Sequence, residues 1–176
     1  MADTIQKYKD YVMTGFLKAV APIVIDRASG ATVTDIHGRE YLDCFSGISV
    51  VNAGHCNPKV IAAAKAQMDK LVHCSSYLYH VQPVADLAEK IAQIAPGKNL
   101  TNTFFGNSGA ESIEGAAKLA RWHTRRQLFT AFISAFHGRT FGAVSFTASK
   151  PVQRRHFFPL VPGVTHVPYP YCYRCP

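Results

Sequence analysis

The pattern of apolar and polar positions changes character near residue 100. Before that point, apolar residues recur at helical spacing in three segments, at residues 4–20, 57–72 and 84–95. Short β-prone runs separated by turn residues lie between the first two segments, and they predict an antiparallel meander with strands at 23–26, 32–35 and 39–42. The apolar, glycine-containing residues 45–54 are expected to form a loop.

After residue 100 the pattern predicts an alternation of strands and helices. Strands are expected at 101–106, 128–136 and 164–167, and helices at 108–126 and 138–147. A strand–helix–strand order is typical of a parallel sheet covered by helices. The sequence therefore predicts an α/β fold that begins with a small meander.

Composition supports a folded protein without a membrane span. Of the 176 residues, 48% are hydrophobic, which is enough to form a core. No run reaches the ~18 consecutive apolar residues of a spanning helix. Residues 1–11 are polar and charged and lack the apolar run of a signal peptide. We therefore expect a cytoplasmic protein with no membrane partner.

Charge is distributed unevenly along the chain. All 11 acidic residues lie at or before Glu114, whereas residues 115–176 contain 9 Lys and Arg and no Asp or Glu. A nucleic-acid surface is one explanation. We favour the other, a truncated chain whose balancing acids lie in missing sequence, because the basic residues are scattered among apolar runs. We therefore expect no nucleic-acid partner.

Five cysteines are present, and we interpret them as free thiols. An odd number without a secretory signal argues against a disulfide framework, and Cys44, Cys56 and Cys74 are expected to be buried. Cys172 and Cys175 form one C-x-x-C motif, for which the sequence offers no second pair. We therefore predict no metal site, although a matching pair could lie in missing sequence.

The segment at 104–114 is the most informative for chemistry. A predicted strand ends at Gly106, and a helix starts at Ser108, with Glu111 at the spacing of a capping box. Gly109 and Ala110 then occupy the first turn, where backbone N–H groups lack helical partners and the helix dipole favours an anion. This turn is a candidate phosphate site at the carboxyl edge of the sheet.

Spacing alone leaves an ordinary helix cap as the alternative. Capping boxes are common, and the segment contains neither G-x-G-x-x-G nor the Gly-Lys-Ser/Thr of a P-loop. The wider string NSGAESIEGAAKLAR at 107–121, however, resembles the phosphate-binding helix of class III aminotransferases, which use pyridoxal 5′-phosphate (PLP).

Three further blocks resemble that family in its order along the chain. DIHGREYLD at 35–43 is similar to its N-terminal meander, and SGI at 46–48 through GH at 54–55 and NP at 57–58 is similar to its substrate loop. FHGRT at 136–140 is similar to its ring-stacking motif. The resemblance implies a fold type I PLP-dependent transferase, with a small-domain segment at 1–55 and an incomplete large PLP-binding domain at 56–176.

The resemblance also implies roles for single residues, each of which has an ordinary structural alternative. Ser108, Gly109 and Ala110 would hold the cofactor phosphate. Phe136 would stack on the ring, although a core aromatic is the alternative, and His137 would neighbour the cofactor. Arg139 would bind a substrate carboxylate with two parallel hydrogen bonds. Ile48 would line the substrate pocket, although a core isoleucine is the alternative.

No catalytic residue is assigned within the chain. The Schiff-base lysine and the aspartate at the pyridine nitrogen are expected beyond Pro176. Lys150 imitates the Ser-Lys pair of the family but comes too early and precedes Pro151. The 176 residues alone are therefore expected to be inactive.

The resemblance implies an aminotransferase that acts with an amino donor and a 2-oxo acid acceptor, as a homodimer. A 4-aminobutyrate-like ω-amino acid or an ornithine derivative is the expected donor. A racemase or epimerase of the same family and a non-catalytic truncated module are the alternatives.

Overall fold

The computed structural model describes residues 2–13, 21–97 and 99–174. Contacts between Cα atoms divide the chain into two compact units, Met1–Val81 and Gln82–Pro176. This division lies further along the chain than the domain boundary expected between residues 55 and 56, which stays a prediction about the complete enzyme. Among the described residues, no helix combines the length and apolar character needed to cross a membrane.

The first unit begins with helix α1, Ala2–Tyr11. The helix expected at 4–20 is thus present in its first part, with an exposed ion pair between Lys7 and Asp3 one turn apart. Residues 14–20 lie outside the described residues.

The meander is confirmed, with strands β1 (Ile25–Ser29), β2 (Thr32–Asp35) and β3 (Glu40–Leu42) in the order β1-β2-β3. Both pairings are antiparallel, and Val33 faces Ala28 on one side and Tyr41 on the other. The turn after β2 is fixed by Asp35, whose carboxylate accepts the backbone N–H groups of His37 and Arg39. β1 begins later than expected because its pairing with β2 starts at Ile25.

The loop expected at 45–54 contains one short helical turn, α2 (Ser46–Ser49), in which Gly47 and Ile48 are left-handed. Helix α3 (Pro58–Met68) follows, and the side chain of Asn57 caps it by accepting the N–H of Lys59. Proline at the first position needs no hydrogen-bond partner for its nitrogen, so the Asn-Pro pair starts the helix where the sequence predicts.

The second unit contains helices α4 (Gln82–Ile94), α5 (Gly109–Thr124) and α6 (Phe141–Phe146) and strands β4 (Phe129–Phe132) and β5 (Val164–Val167). β4 and β5 are parallel neighbours, with Phe129 opposite Val164. The α/β interpretation is therefore confirmed in the connection β4–α6–β5.

Two strand predictions are wrong in detail. Residues 101–106 form no strand, because no described strand lies beside them to complete a backbone ladder. The strand expected to end at Phe136 ends at Phe132, because the chain turns at Ser134, whose φ is 70°. Phe136 therefore lies in a loop after the strand.

Few apolar side chains are buried in either unit. Ala131, Ala143 and Val144 are the buried apolar residues among those described, and neither α3 nor α4 buries a residue. The expectation of buried cysteines is wrong, because Cys44 and Cys56 are exposed and Cys74 is half-buried. Large apolar faces thus remain uncovered, as expected for part of a larger structure.

Candidate functional site

The first turn of α5 is formed as the sequence predicts. Ser108 is the N-cap, with extended backbone, and its Oγ accepts the N–H of Glu111 at 3.2 Å. The carboxylate of Glu111 in turn accepts the N–H of Asn107, one residue earlier than the reciprocal bond of a standard capping box. The strand-to-helix turn is therefore held from both sides.

This arrangement leaves the N–H groups of Gly109 and Ala110 without a partner among the described residues. A Cβ built on Gly109 would meet no atom within 4 Å, so the space in front of the turn is open. Open N–H donors at the positive end of a 16-residue helix form an anion-binding surface.

The segment 136–140 is fixed by a buried threonine that the sequence analysis did not single out. Thr147 has no exposed surface, and its Oγ1 accepts the N–H of His137 at 2.9 Å and donates to the carbonyl of Gly138 at 2.9 Å. A polar residue directly after the apolar run of α6 was the available signal. The Thr147 side chain thus satisfies one backbone N–H and one backbone carbonyl of this loop.

Gly138 brings this segment against the first turn of α5. A Cβ on Gly138 would lie 2.7 Å from the Cβ of Ala110, and its φ of +125° excludes most other residues. Two motifs that are separate in sequence therefore meet because glycine stands at this position.

A cavity of about 830 Å³ lies between the two segments. All five residues predicted to bind the cofactor line it, and so does the predicted carboxylate-binding Arg139. Its lining residues are Ser108, Gly109, Ala110, Ser112, Ile113, Phe136, His137, Gly138, Arg139 and Thr140. The structure thus brings these residues together, while their individual roles stay predictions.

The cavity suits a flat, anionic ligand. Phe136 is 54% exposed, so an aromatic face is available, and His137 is half-buried beside it. Arg139 contributes the only charged side chain among the described lining residues, and it is positive. A cationic side chain and a helix N-terminus on the same cavity both favour a negative charge.

Ile48 lies in the first unit, in the loop between Asp43 and His55. It is 74% exposed and left-handed, with φ of 63°. An exposed isoleucine argues against a core role within this unit, and its place in a substrate pocket stays a prediction.

The ends of that loop are joined by a side-chain hydrogen bond that the sequence did not indicate. His55 Nε2 lies 2.6 Å from Asp43 Oδ2, and both side chains are half-buried. The hydrogen bond with His55 and those from the Ser46 and Phe45 amides lower the pKa of Asp43 below its ordinary value of 3.8. Both residues lie inside motifs quoted above, but spacing alone did not indicate that they meet.

Lys150 does not line the 830 Å³ cavity. It lies on a separate cavity of about 430 Å³ with Arg154, Arg155 and Phe158. The expectation that Lys150 is not the cofactor lysine stays a prediction.

The chain is similar to known proteins in both sequence and fold. The family model described as aminotransferase class-III matches residues 17–176. An acetylornithine aminotransferase of Methanopyrus kandleri is 49% identical over 148 residues, which are 84% of this chain and 37% of that protein. An isoleucine 2-epimerase of Lentilactobacillus buchneri is 39% identical over 152 residues, which are 86% of this chain and 34% of that protein.

Among solved structures, the taurine:2-oxoglutarate aminotransferase of Bifidobacterium kashiwanohense, in complex with PLP and glutamate, superposes with a TM-score of 0.89 at 28% identity. The match covers 98% of this chain and 39% of the other. The chain thus spans well under half the length of the proteins that it matches.

Proposed function

Because the chain belongs to the class III aminotransferase family, we propose that it is part of a PLP-dependent transaminase. In this proposal it supplies the residues that bind the cofactor phosphate, stack on the cofactor ring and bind the substrate carboxylate. The observation that carries this proposal is the cavity in which the open first turn of α5 faces the segment from Phe136 to Arg139. One fold can host many activities, so the function is argued from the side chains and N–H groups that line this cavity.

The residues present fit PLP. Its phosphate needs open N–H donors, which Gly109 and Ala110 offer, and its ring needs an aromatic face, which Phe136 offers. When bound, PLP acts as an electron sink for the bonds at the amino-bearing carbon of the substrate. Ser108 would orient the first turn of α5 as its N-cap, and His137 would neighbour the bound cofactor.

Arg139 would orient the substrate. Its guanidinium can donate two parallel hydrogen bonds to a carboxylate, and this would fix which end of an amino acid faces the cofactor. Acetylornithine and 4-aminobutyrate both carry a free amine several atoms from a carboxylate, and both suit this arrangement. The identity to acetylornithine aminotransferase supports an ornithine derivative as the donor and a 2-oxo acid as the acceptor.

Three parts of the proposal rest on the family resemblance rather than on geometry. Ile48 would line the substrate pocket, and the complete enzyme would be a homodimer. The lysine that holds PLP would lie outside these 176 residues, so the chain alone would not transfer amino groups.

The test is made on the protein expressed from its complete reading frame. With PLP, we expect acetylornithine and 2-oxoglutarate to yield glutamate. Arg139→Met should raise KM for this donor by about 10- to 100-fold, the value of a charge-assisted contact, and should leave KM for a monoamine without a carboxylate unchanged. Glutamate formation without PLP, or an equal KM change for both donors, would contradict the proposal.

An epimerase is the second candidate, and the 39% identity to isoleucine 2-epimerase favours it specifically. Incubation of the complete protein with L-isoleucine distinguishes the two. A change in the ratio of stereoisomers with no keto acid formed would replace the transaminase assignment.

A further inference from the structure

We propose that Glu114 is a positioning residue for Arg139, in that its carboxylate holds the segment 138–143 against α5. This inference rests on the proposed function, since it concerns how the substrate-carboxylate group is presented to the cavity. Glu114 lies in the string that carries the family resemblance, but its spacing alone indicates no role.

Glu114 joins two elements of the second unit through one oxygen atom. Its Oε1 accepts the hydroxyl of Thr140 at 2.6 Å and the backbone N–H of Ala143 at 3.1 Å. Thr140 is the N-cap of α6, but its side chain makes no capping hydrogen bond there. Ala143 occupies the third helical position, whose N–H an N-cap side chain would ordinarily accept. The carboxylate of α5 therefore replaces the missing cap of α6.

Glycine at position 142 makes this contact possible. A Cβ on Gly142 would lie 2.1 Å from Glu114 Oε2, so any other residue here would force the carboxylate out of this position. The carboxylate thus rests directly on backbone.

A second close contact lies one helical turn away. Gly138 packs on Ala110, and Ala110 and Glu114 are four residues apart on the same face of α5. Arg139 lies between these two contact points. Its backbone can move little as long as both contacts hold, so the flexible side chain starts from a fixed Cα position at the edge of the cavity.

Both hydrogen-bond donors to the Glu114 carboxylate are neutral groups. Glu114 is half-buried and forms no ion pair with any described residue, so the hydroxyl and the amide are the groups that compensate its charge. A side chain that lacks an acceptor would leave both donors unpaired, and the start of α6 would lose its cap. A glutamine would retain an acceptor oxygen in the same place.

The experiment compares Glu114→Ala, Glu114→Gln and the control Glu89→Ala in the protein expressed from its complete reading frame. Glu89 is an exposed glutamate on α4 of the same unit. Glu114→Ala should raise KM for acetylornithine by about 10-fold, with a smaller change in kcat and in the PLP dissociation constant. Glu114→Gln should stay within about 3-fold of the unmodified protein, as should Glu89→Ala.

Backbone amide hydrogen exchange without cofactor provides a readout independent of activity. Exchange at Ala143 should quicken in Glu114→Ala and not in Glu114→Gln. Should Glu114→Ala fail to fold, Thr140→Val removes one of the two donors, and it should raise KM and leave the fold intact. An unchanged KM, or unchanged exchange at Ala143, in a folded Glu114→Ala variant would overturn the inference.

Failure of the proposed function is seen separately. If the unmodified protein transfers no amino group, the transaminase proposal fails. Amide exchange at Ala143 alone then decides whether Glu114 holds the segment. If the unmodified protein is active but Glu114→Ala changes KM no more than Glu89→Ala, the role of Glu114 fails and the function stands.

Discussion

Two irregular segments carry the predicted substrate-binding residues, and they are held in different ways. The loop from Asp43 to His55 carries Ile48, and its two ends are joined by a hydrogen bond between the Asp43 carboxylate and the His55 ring and are bonded through their backbone to Gly30 and Ala31. The segment that carries Arg139 is held from outside, by Glu114 of α5 and by Thr147 after α6. A change in the first is expected to stay local, whereas a change in the second should reach the anion-binding turn of α5.

The backbone shows the same difference. In the first loop, Ser46, Ile48 and Ser49 are non-glycine residues with positive φ, a conformation that costs energy and persists only where the surroundings enforce it. In the second, glycines occupy the two points of closest approach, Gly138 and Gly142. The first loop is therefore shaped by closure at its ends, and the second by packing along its length.

The largest expected effect comes from breaking the packing of the second segment. Gly138→Ala would place a Cβ 2.7 Å from that of Ala110 and force alanine into φ of +125°. Strain and overpacking together should lower the free energy of unfolding by about 3 kcal/mol. Urea unfolding of the complete protein without cofactor measures this, and the PLP dissociation constant should rise in the same variant.

Gly38→Ala is the matched control for this change. Gly38 has φ of +79° but no atom within 4 Å of a built Cβ, so alanine there should cost about 1 kcal/mol, from backbone strain alone. In the double variant Ala110→Gly with Gly138→Ala, the overlap between the two Cβ atoms is removed, and about 1 kcal/mol of coupling is expected. Additive costs would show that the contact between the segments is not what Gly138 provides.

The sequence predicted elements better than it predicted the contacts between them. The start of a helix at Asn57, the N-cap at Ser108 and the meander follow local rules of hydrogen bonding, and these were recognised correctly. The prediction of a strand at 101–106 was wrong. A strand forms only beside another strand, and the pattern of apolar residues does not indicate whether such a neighbour is present. The spacing of Ser108 and Glu111 did not distinguish an anion site from an ordinary helix cap. The resemblance of the longer string at 107–121 favoured the anion site.

The missed residues share a physical cause. Thr147, Glu114, Asp43 and His55 act through groups far away in sequence, so no local pattern marks them. The cysteines were misjudged because residue type indicates average burial, whereas these units leave much apolar surface uncovered.

A smaller and more local effect is expected in the first loop. The hydrogen bonds from His55 and the amides of Ser46 and Phe45 hold the pKa of Asp43 below 3.8. The carboxylate therefore stabilises the fold at pH values above 3.8, and this stabilisation is lost as pH falls through the lowered pKa. Asp43→Asn should abolish this part of the acid sensitivity and should quicken amide exchange at residues 44–54, with little change at 136–143.

Asp35 provides the comparison for that experiment. Burial acts to raise its pKa, but the amides of Arg39 and His37 and the Tyr41 hydroxyl outweigh burial and lower it. The part of the remaining acid sensitivity that comes from Asp35 should therefore be lost when Asp35→Asn is added to Asp43→Asn. Equal exchange changes in both segments after Asp43→Asn would contradict the view that the first loop is held at its two ends.

The smallest expected effect concerns the anion-binding turn itself. Ser108→Ala removes the acceptor for the Glu111 N–H and should lower the free energy of unfolding by about 1 kcal/mol, the usual value of an N-cap. Ser112→Ala is the control on the same turn, since its hydroxyl only donates to the carbonyl of Ser108 and should contribute within about 0.5 kcal/mol. Because the cap also orients the open N–H groups, Ser108→Ala should weaken PLP binding more than Ser112→Ala does. Equal losses of stability in the two variants would mean that the turn is held by the Glu111 carboxylate and the contact of Gly138, and that the serine cap adds little to them.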